Sequence, residues 1–239
     1  MNQMIHLLND IDKNPNLYES IYKYNGIEVP RVTKIIGKCI HNDSLMYWAN
    51  SLGFKRQSYS KTLAMSAAIG TECHASIDSF LENNNSEKSF INESARYAYE
   101  SFLKWWNDIH YAGNTVNVLY HEYPLICPYF GGTMDGLYDI NGKKYLVDYK
   151  TSNHITFNYC LQLAAYRYIL RTELNIEIDG CIILQLSKND ISYNEYVLNF
   201  DNINHLNFIN DCEKAFLSLV YAYYNILKIE NDYKSIWRD

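Results

Sequence analysis

A predicted β-hairpin over residues 130–150 constrains the fold more than any other part of this 239-residue chain. Its two runs of strand-forming residues are separated by Asn141-Gly142, the dipeptide most typical of a two-residue hairpin turn. Because side chains alternate across a strand, Asp148 and Lys150 are predicted to lie on one face of the second run. Two opposite charges therefore project together near a strand end.

The rest of the chain shows helical periodicity before this hairpin and alternating helices and strands after it. The predicted elements are helices over 43–52, 58–83 and 93–111, strands over 115–124, 130–140 and 143–150, a helix over 156–173, strands over 180–187 and 191–199, and a helix over 202–229. This order predicts a mixed α/β (α+β) fold in which helices cover both faces of a central mixed sheet. No repeat or linker divides the chain. One domain over 1–239 is therefore predicted, mainly helical over 1–113 and with its sheet core over 114–239.

Composition excludes several classes of protein. No apolar run approaches the roughly 18 residues that a membrane span needs, and the N-terminus lacks the basic-then-apolar order of a signal peptide. The six cysteines form no CxxC pair and no zinc-site spacing, which indicates reduced thiols. We therefore expect a soluble, intracellular protein without a membrane partner.

The charge distribution is uneven. The net charge of -6 argues against a nucleic-acid partner for the chain as a whole. Between residues 31 and 61, however, Asp43 is the one acidic residue among six basic ones: Arg31, Lys34, Lys38, Lys55, Arg56 and Lys61. Aromatic residues are interleaved with them, namely Tyr47, Trp48, Phe54 and Tyr59. This pattern suits a groove that follows a phosphate backbone and stacks bases, and it is equally typical of a solvated helix surface over a core.

Two aspartates are predicted to lie on neighbouring strands of the hairpin. Asp135 follows Gly131-Gly132-Thr133 in the first strand, and Asp148 lies near the end of the second. Adjacent carboxylates repel each other unless a divalent cation neutralises both, and such oxygen ligands suit Mg²⁺ or Mn²⁺. An isolated D-x-K triplet is more often a surface ion pair, which contributes about 0 to 1 kcal/mol. The surrounding motifs favour the metal site.

Those motifs follow one another along the chain. "GTMDGLYD" contains Asp135, "DYKTS" contains Asp148 and Lys150, and "QLAAY" places Gln162 and Tyr166 one helical turn apart. Together they resemble the G-x-x-D, D-x-K-T-S and Q-x-x-x-Y elements of PD-(D/E)xK nucleases of the RecB type. This resemblance implies a restriction-endonuclease-like core preceded by a helical N-terminal region. Met134 stands where the superfamily motif has proline.

Further elements resemble the mitochondrial genome maintenance exonuclease group and its phage and bacterial relatives. These elements are "VPRVTKII", "GTECHASIDSF" with Gly70 and His74, and "YHEYPL" with Glu122. The resemblance spans residues 29–200. It implies a cytoplasmic location in a bacterium or a phage-infected cell, with an organelle as the alternative.

The same resemblance implies roles for individual residues. The implied metal ligands are His74, Asp135, Asp148 and the main-chain carbonyl of Tyr149. Lys150 is the implied catalytic lysine, and Glu122 holds a second metal ion or a water molecule. Residues that order the site or contact nucleic acid are Gln162, Tyr166, Thr151 and Ser152. The residues expected to guide the nucleic-acid strand, called strand-guiding residues below, come from the basic segment: Arg31, Lys34, Lys55, Arg56 and Lys61.

The expected activity is metal-dependent hydrolysis of DNA phosphodiester bonds with one or two Mg²⁺ or Mn²⁺ ions. A single-strand-specific exonuclease acting on ends or flaps in replication, recombination or repair is the first prediction, with a partner protein from those processes compatible with it. A structure-selective endonuclease on the same fold and an inactive nucleic-acid-binding scaffold are the alternatives. Cleavage polarity and the choice between DNA and RNA stay open at this point.

Overall fold

The computed structural model describes residue 8 and residues 22–41, 43–82 and 89–237. Its N-terminal part contains two short strands followed by helices: β1 (Lys23–Tyr24), β2 (Ile27–Glu28), α1 (Val32–Cys39), α2 (Asp43–Phe54), α3 (Tyr59–Leu81) and α4 (Glu93–Tyr111). The C-terminal part contains β3 (Val116–Ile126), β4 (Gly131–Ile140), β5 (Lys143–Lys150), α5 (Phe157–Glu173), β6 (Gly180–Leu186), β7 (Tyr193–Asn199) and α6 (Ile203–Trp237). The predicted order of elements from α2 to α6 is confirmed.

The central sheet has five strands in the order β3-β4-β5-β6-β7. Its strands pair antiparallel except for β5 and β6, which are parallel. Parallel neighbours need a long crossover, and α5 supplies it. The predicted mixed sheet is therefore present, with a meander on one side and a hairpin on the other.

Helices cover both faces of this sheet. On one face, α3 and α4 pack over a core that includes Phe102, Trp105 and Tyr149. On the other face, α1, α5 and α6 pack over a core that includes Leu146 and Phe216. Leu146 and Tyr149 thus face opposite layers, as the alternation of side chains in β5 predicts.

The hairpin between β4 and β5 has the predicted turn. Asn141 and Gly142 both have positive φ angles, 56° and 81°, as a type I′ turn requires. The strands then pair from Ile140 with Lys143 to Gly136 with Val147. This register carries Asp135 and Asp148 to neighbouring positions at the same end of the hairpin.

Three features differ from the sequence-based expectations. The β1–β2 hairpin and α1 were not predicted, and α6 extends to Trp237 rather than ending near residue 229. A second Asn-Gly pair, Asn25-Gly26, marks the β1–β2 turn with φ angles of 49° and 82°. The predicted helix over 58–83 is present as α3, and its last residue, Asn83, lies outside the described residues.

Two expectations drawn from composition concern the state of the cysteines and the hydrophobicity of the helices. All six cysteines are free thiols, in agreement with the prediction from their spacing. Within the described ranges, no helix is both long and apolar enough to cross a membrane.

Candidate metal centre

Three side chains from separate elements meet at one end of the sheet. They are His74 of α3, Glu122 of β3 and Asp135 of β4, and their ligand atoms all lie within 4.8 Å of one another. His74 Nδ1 is 3.4 Å from Glu122 Oε1 and 3.4 Å from Asp135 Oδ1. The three residues were each predicted as part of the site, and the structure brings them together.

Strand pairing explains the approach of the two carboxylates. His121 pairs with Gly136, and Tyr123 pairs with Met134. Glu122 lies between the first members of these pairs and Asp135 between the second, so the two acids are side by side. The φ angle of Glu122 is 42°. Residues other than glycine seldom adopt this left-handed conformation, and it is enriched where a site constrains the backbone.

Helix packing places the imidazole. The neighbours of His74 along α3, Cys73 and Ile77, are buried against the sheet. The His74 ring meets the ring of Tyr149 edge-on, with centroids 5.7 Å apart. The position of His74 therefore depends on how α3 docks against β5.

A hydrogen bond ties Asp135 to the neighbouring strand. The main-chain N–H of Tyr149 donates to Asp135 Oδ2 at 2.6 Å, in a buried position. The hydroxyl of Tyr149 is hydrogen-bonded in turn to that of Tyr138. Tyr149 thus supports the site through its N–H, and its main-chain carbonyl stays a predicted metal ligand.

Asp148 and Lys150 form a second, adjacent part of the site. Lys150 Nζ lies 2.6 Å from Asp148 Oδ2, and the Asp148 side chain is 2% exposed. Neither carboxylate oxygen of Asp148 accepts a well-aligned hydrogen bond from the described residues. Lys150 is close to Oδ2 only, so Oδ1 of Asp148 keeps unused acceptor capacity in a buried position.

The charges in this cluster shift one another's pKa values. Burial alone would lower the pKa of His74, but the Asp135 and Glu122 carboxylates outweigh it and raise that pKa to about 10. Burial would raise the pKa of Asp135, yet His74 and Lys150 hold it below its usual value. For Asp148 burial dominates over Lys150 and raises the pKa to about 6. Burial opposes the charged form of Lys150, but Asp148 and Asp135 raise its pKa.

These observations fit a divalent cation. The cluster offers one imidazole and two carboxylates within reach of a single point. Asp148 adds a buried carboxylate whose oxygens lack aligned donors among the described residues. Carboxylate oxygens suit Mg²⁺ and Mn²⁺, and a cation would relieve the repulsion among the acids. His74, Glu122 and Asp135 would hold it, with Asp148 next to them.

Gln162 and Tyr166 of α5 pack against the strand that carries Asp135. Gln162 Nε2 donates to the Tyr166 hydroxyl at 3.2 Å, and both side chains are buried. The Tyr166 ring approaches Gly132 so closely that a Cβ added there would lie 2.5 Å from it. The glycine of the G-x-x-D element is thus required by this ring. Burial favours the predicted ordering role of Gln162 and Tyr166 over direct contact with nucleic acid.

The loop after β5 is anchored at several points. Ser152 Oγ accepts a hydrogen bond from the Tyr159 hydroxyl at 3.1 Å, and the Ser152 carbonyl accepts one from Gln185 at 2.8 Å. Thr151 faces α3, where its Oγ1 lies 3.5 Å from the place of a Cβ on Gly70. This separation is an ordinary van der Waals contact, so Thr151 marks a close approach of α3 without excluding a methyl group.

The predicted strand-guiding residues Arg31, Lys34, Lys55, Arg56 and Lys61 are all exposed. Lys38, the remaining basic residue of the segment, pairs with Glu230 of α6 at 2.5 Å. The aromatic residues divide into two groups. Tyr47 and Phe54 are 74% and 93% exposed, whereas Trp48 and Tyr59 contact each other with ring centroids 5.4 Å apart.

Sequence reasoning missed three neighbours of the site, namely Asp78, His121 and Tyr159. His121 Nδ1 lies 2.6 Å from Asp78 Oδ1, and Asp78 lines a cavity of about 510 Å³ together with His74 and Glu122. The Lys150 ammonium lies over the ring of Tyr159, 4.9 Å from its centroid. Asp78 follows His74 by one helical turn, and that spacing was a usable signal.

Comparisons with known proteins leave the function to be argued from this geometry. No protein-family model matches the chain, and no curated protein sequence matches it. One solved structure, described as the crystal structure of SSO0001, is 17% identical, covers 89% of this chain and 85% of its own, and has a TM-score of 0.36. A likeness of that strength carries no argument about activity.

Proposed function

We propose that this protein is a metal-dependent deoxyribonuclease that degrades single-stranded DNA from ends or flaps. The observation that carries the proposal is the convergence of His74, Glu122 and Asp135 within 4.8 Å, beside the buried Asp148–Lys150 pair. A divalent cation held between carboxylates next to a lysine is a chemically suitable arrangement for phosphodiester hydrolysis.

The residues of the chain divide the chemistry between them. A bound Mg²⁺ or Mn²⁺ ion supplies Lewis acidity toward a phosphoryl oxygen. Lys150 keeps its positive charge, because the nearby carboxylates raise its pKa, and it can orient an attacking water and stabilise charge that develops on the phosphate. Asp135 is held in place by the Tyr149 N–H. Gln162 and Tyr166 hold the strand that carries Asp135.

The exposed basic segment supports a nucleic-acid substrate. Lys55, Arg56 and Lys61 are exposed, as are the rings of Tyr47 and Phe54. Cationic side chains contact phosphates and exposed rings stack on unpaired bases, and both contacts are independent of base sequence. Single strands present the unpaired bases that such rings need.

A digestion series tests the proposal. Single strands labelled at the 5′ or the 3′ end, a flap, a closed single-stranded circle and a matched RNA strand are each incubated with Mn²⁺, with Mg²⁺ and with EDTA. We expect metal-dependent loss of the linear DNA strands and the flap, with the circle intact.

The other results have distinct meanings. Cleavage of the circle would assign an endonuclease, and faster loss of RNA would change the substrate class. Tight binding without turnover in either metal would assign a binding scaffold. Cleavage that persists in EDTA would contradict the metal mechanism.

A further inference from the structure

A second polar cavity lies at the end of β6, beside the candidate metal centre. Its volume is about 320 Å³, and Ser152, Ser187, Lys188 and Ser192 are among its lining residues. Lys150 pairs with Gln185 in the parallel register of β5 and β6, so both strands end at the same edge of the sheet. The cavity therefore opens next to the strand end that carries the catalytic lysine.

Lys188 is the cation of this cavity. Its side chain is half-buried, and it makes no hydrogen bond or ion pair with any other residue that the structure describes. Burial lowers its pKa, with no carboxylate acting against that shift. A partly buried ammonium group that has no internal partner is available to pair with an anion that enters the cavity.

The carboxylate of the cavity is already engaged. Asp190 Oδ1 accepts a hydrogen bond from Ser192 Oγ at 2.7 Å. Hydrogen bonds from Ser187 and Ser192 lower the pKa of Asp190. Asp190 organises the hydroxyl groups of the loop between β6 and β7 and forms no ion pair with Lys188.

Ser152 connects the cavity to the metal centre. It lines the cavity and accepts the hydrogen bond from Tyr159, whose ring lies under the Lys150 ammonium. Ser152 and Tyr159 thus form a continuous line of contacts from the cavity to the Lys150 ammonium group.

We infer that this cavity binds a phosphate group of the nucleic-acid strand next to the bond that is cut, with Lys188 supplying the positive charge. The inference rests on the proposed nuclease function and adds a subsite to it. Lysine, serine and asparagine side chains donate hydrogen bonds to phosphate oxygens without reading the base.

Neutral linkages test this subsite. Single-stranded oligonucleotides carry one methylphosphonate, which removes the charge of one phosphate, at successive positions on each side of the labelled cleavage bond. With the wild-type protein we expect one neighbouring position to lower kcat/KM about tenfold, as the loss of one charge-assisted hydrogen bond predicts. Lys188→Ala should cut the unmodified strand about tenfold more slowly and show no further loss at that position.

Binding measured without metal supplies a second readout. Fluorescence anisotropy of an unmodified strand in EDTA, over a series of salt concentrations, gives the slope of log K against log salt. Removal of one phosphate contact should reduce that slope by about 0.7 for a single strand. Lys214→Ala is the control, since Lys214 is exposed and pairs with Asp211 on α6, and it should behave as wild type.

The outcomes separate the inference from the proposed function. A wild-type protein that neither cuts nor binds the unmodified strand overturns both. If the wild type cuts the strand but Lys188→Ala keeps the wild-type response to every neutral linkage and the wild-type salt slope, the subsite alone is wrong.

Discussion

Two buried clusters of charge in this protein differ in how their charges are balanced. Between α5 and α6, Glu213 lies 2.6 Å from Arg171 and 3.3 Å from Arg167. Arg167 also donates to Asn210 at 2.9 Å. Here each carboxylate oxygen of a single acid contacts a guanidinium group, so the acid is fully paired and the cluster offers no free carboxylate to a cation.

The cluster at the sheet end has the opposite balance. The carboxylates of Glu122, Asp135 and Asp148 outnumber the single lysine, and proton uptake by His74 only partly offsets them. Buried charges are stable when they are paired. The contrast teaches that the α5–α6 cluster is structural, whereas the cluster at the sheet end is suited to take up a cation.

The largest expected effect comes from the lysine of the sheet-end cluster. Under the proposed nuclease function, Lys150→Ala should lower the cleavage rate about 10³-fold, because it removes a positive charge next to the phosphate that would be attacked. Arg171→Ala in the α5–α6 cluster should leave the rate unchanged. Single-turnover cleavage at a temperature where both variants are folded measures this, and equal losses in the two variants would erase the contrast.

Stability, unlike the cleavage rate, should depend strongly on the α5–α6 cluster. Glu213→Ala leaves two arginines without their carboxylate in a buried position and should lower the free energy of unfolding by about 3 to 5 kcal/mol. Glu230→Ala breaks an exposed pair with Lys38 and should cost at most about 1 kcal/mol. Urea denaturation compares the two, and a Glu213→Ala variant as stable as Glu230→Ala would show that the buried network is dispensable.

Metal addition should distinguish the clusters directly. Mn²⁺ at about a hundredfold excess over its Kd should raise the free energy of unfolding of the wild type by about 3 kcal/mol. Asp135→Asn should lose this increment, because it removes the charge of a proposed ligand, while Glu213→Gln should keep it. Thermal unfolding with Mn²⁺ and with EDTA measures the difference, and an unchanged increment in Asp135→Asn would place the ion elsewhere.

The smallest effect is a pH dependence of the metal-free protein. The pKa of His74 rises from 6.5 to about 10 on folding, so the folded state binds more protons than the unfolded state between these values. The stabilisation is complete below pH 6.5 and is lost as pH rises toward 10. The slope should reach about 1.4 kcal/mol per pH unit.

His74→Gln is the control for this pH dependence. Groups other than His74 titrate in both proteins, so the difference between the two stability curves, measured in EDTA, isolates the imidazole. A difference that does not change between pH 7 and pH 9 would contradict the assigned interactions.

Local patterns predicted much of this architecture. The Asn141-Gly142 turn determines the β4–β5 register and therefore the adjacency of Asp135 and Asp148. Strand alternation predicted that Asp148 and Lys150 lie on one face of β5, where the two side chains meet. The same reasoning applied to Asn25-Gly26 would have found the β1–β2 hairpin, and the spacing of Val32, Ile35 and Ile36 would have found α1.

Other features depend on tertiary packing and were not predictable from periodicity. The distance of His74 from Asp135 depends on the docking of α3, which no local pattern specifies. The left-handed φ of Glu122 occurs inside β3, where the strand pattern predicts extended backbone. The position of Tyr159 over Lys150 requires the loop after β5 to fold back onto the strand end.

The parallel pairing of β5 and β6 has a consequence for biosynthesis. His74 and Glu122 leave the ribosome well before β5, and β5 gains its second neighbour only after α5 and β6 have been made. Non-local pairings of this kind form late because a long loop must close first. A nascent or truncated polypeptide that stops before β5 therefore contains His74, Glu122 and Asp135 but lacks the Tyr149 N–H that holds Asp135 and the Asp148–Lys150 pair beside it.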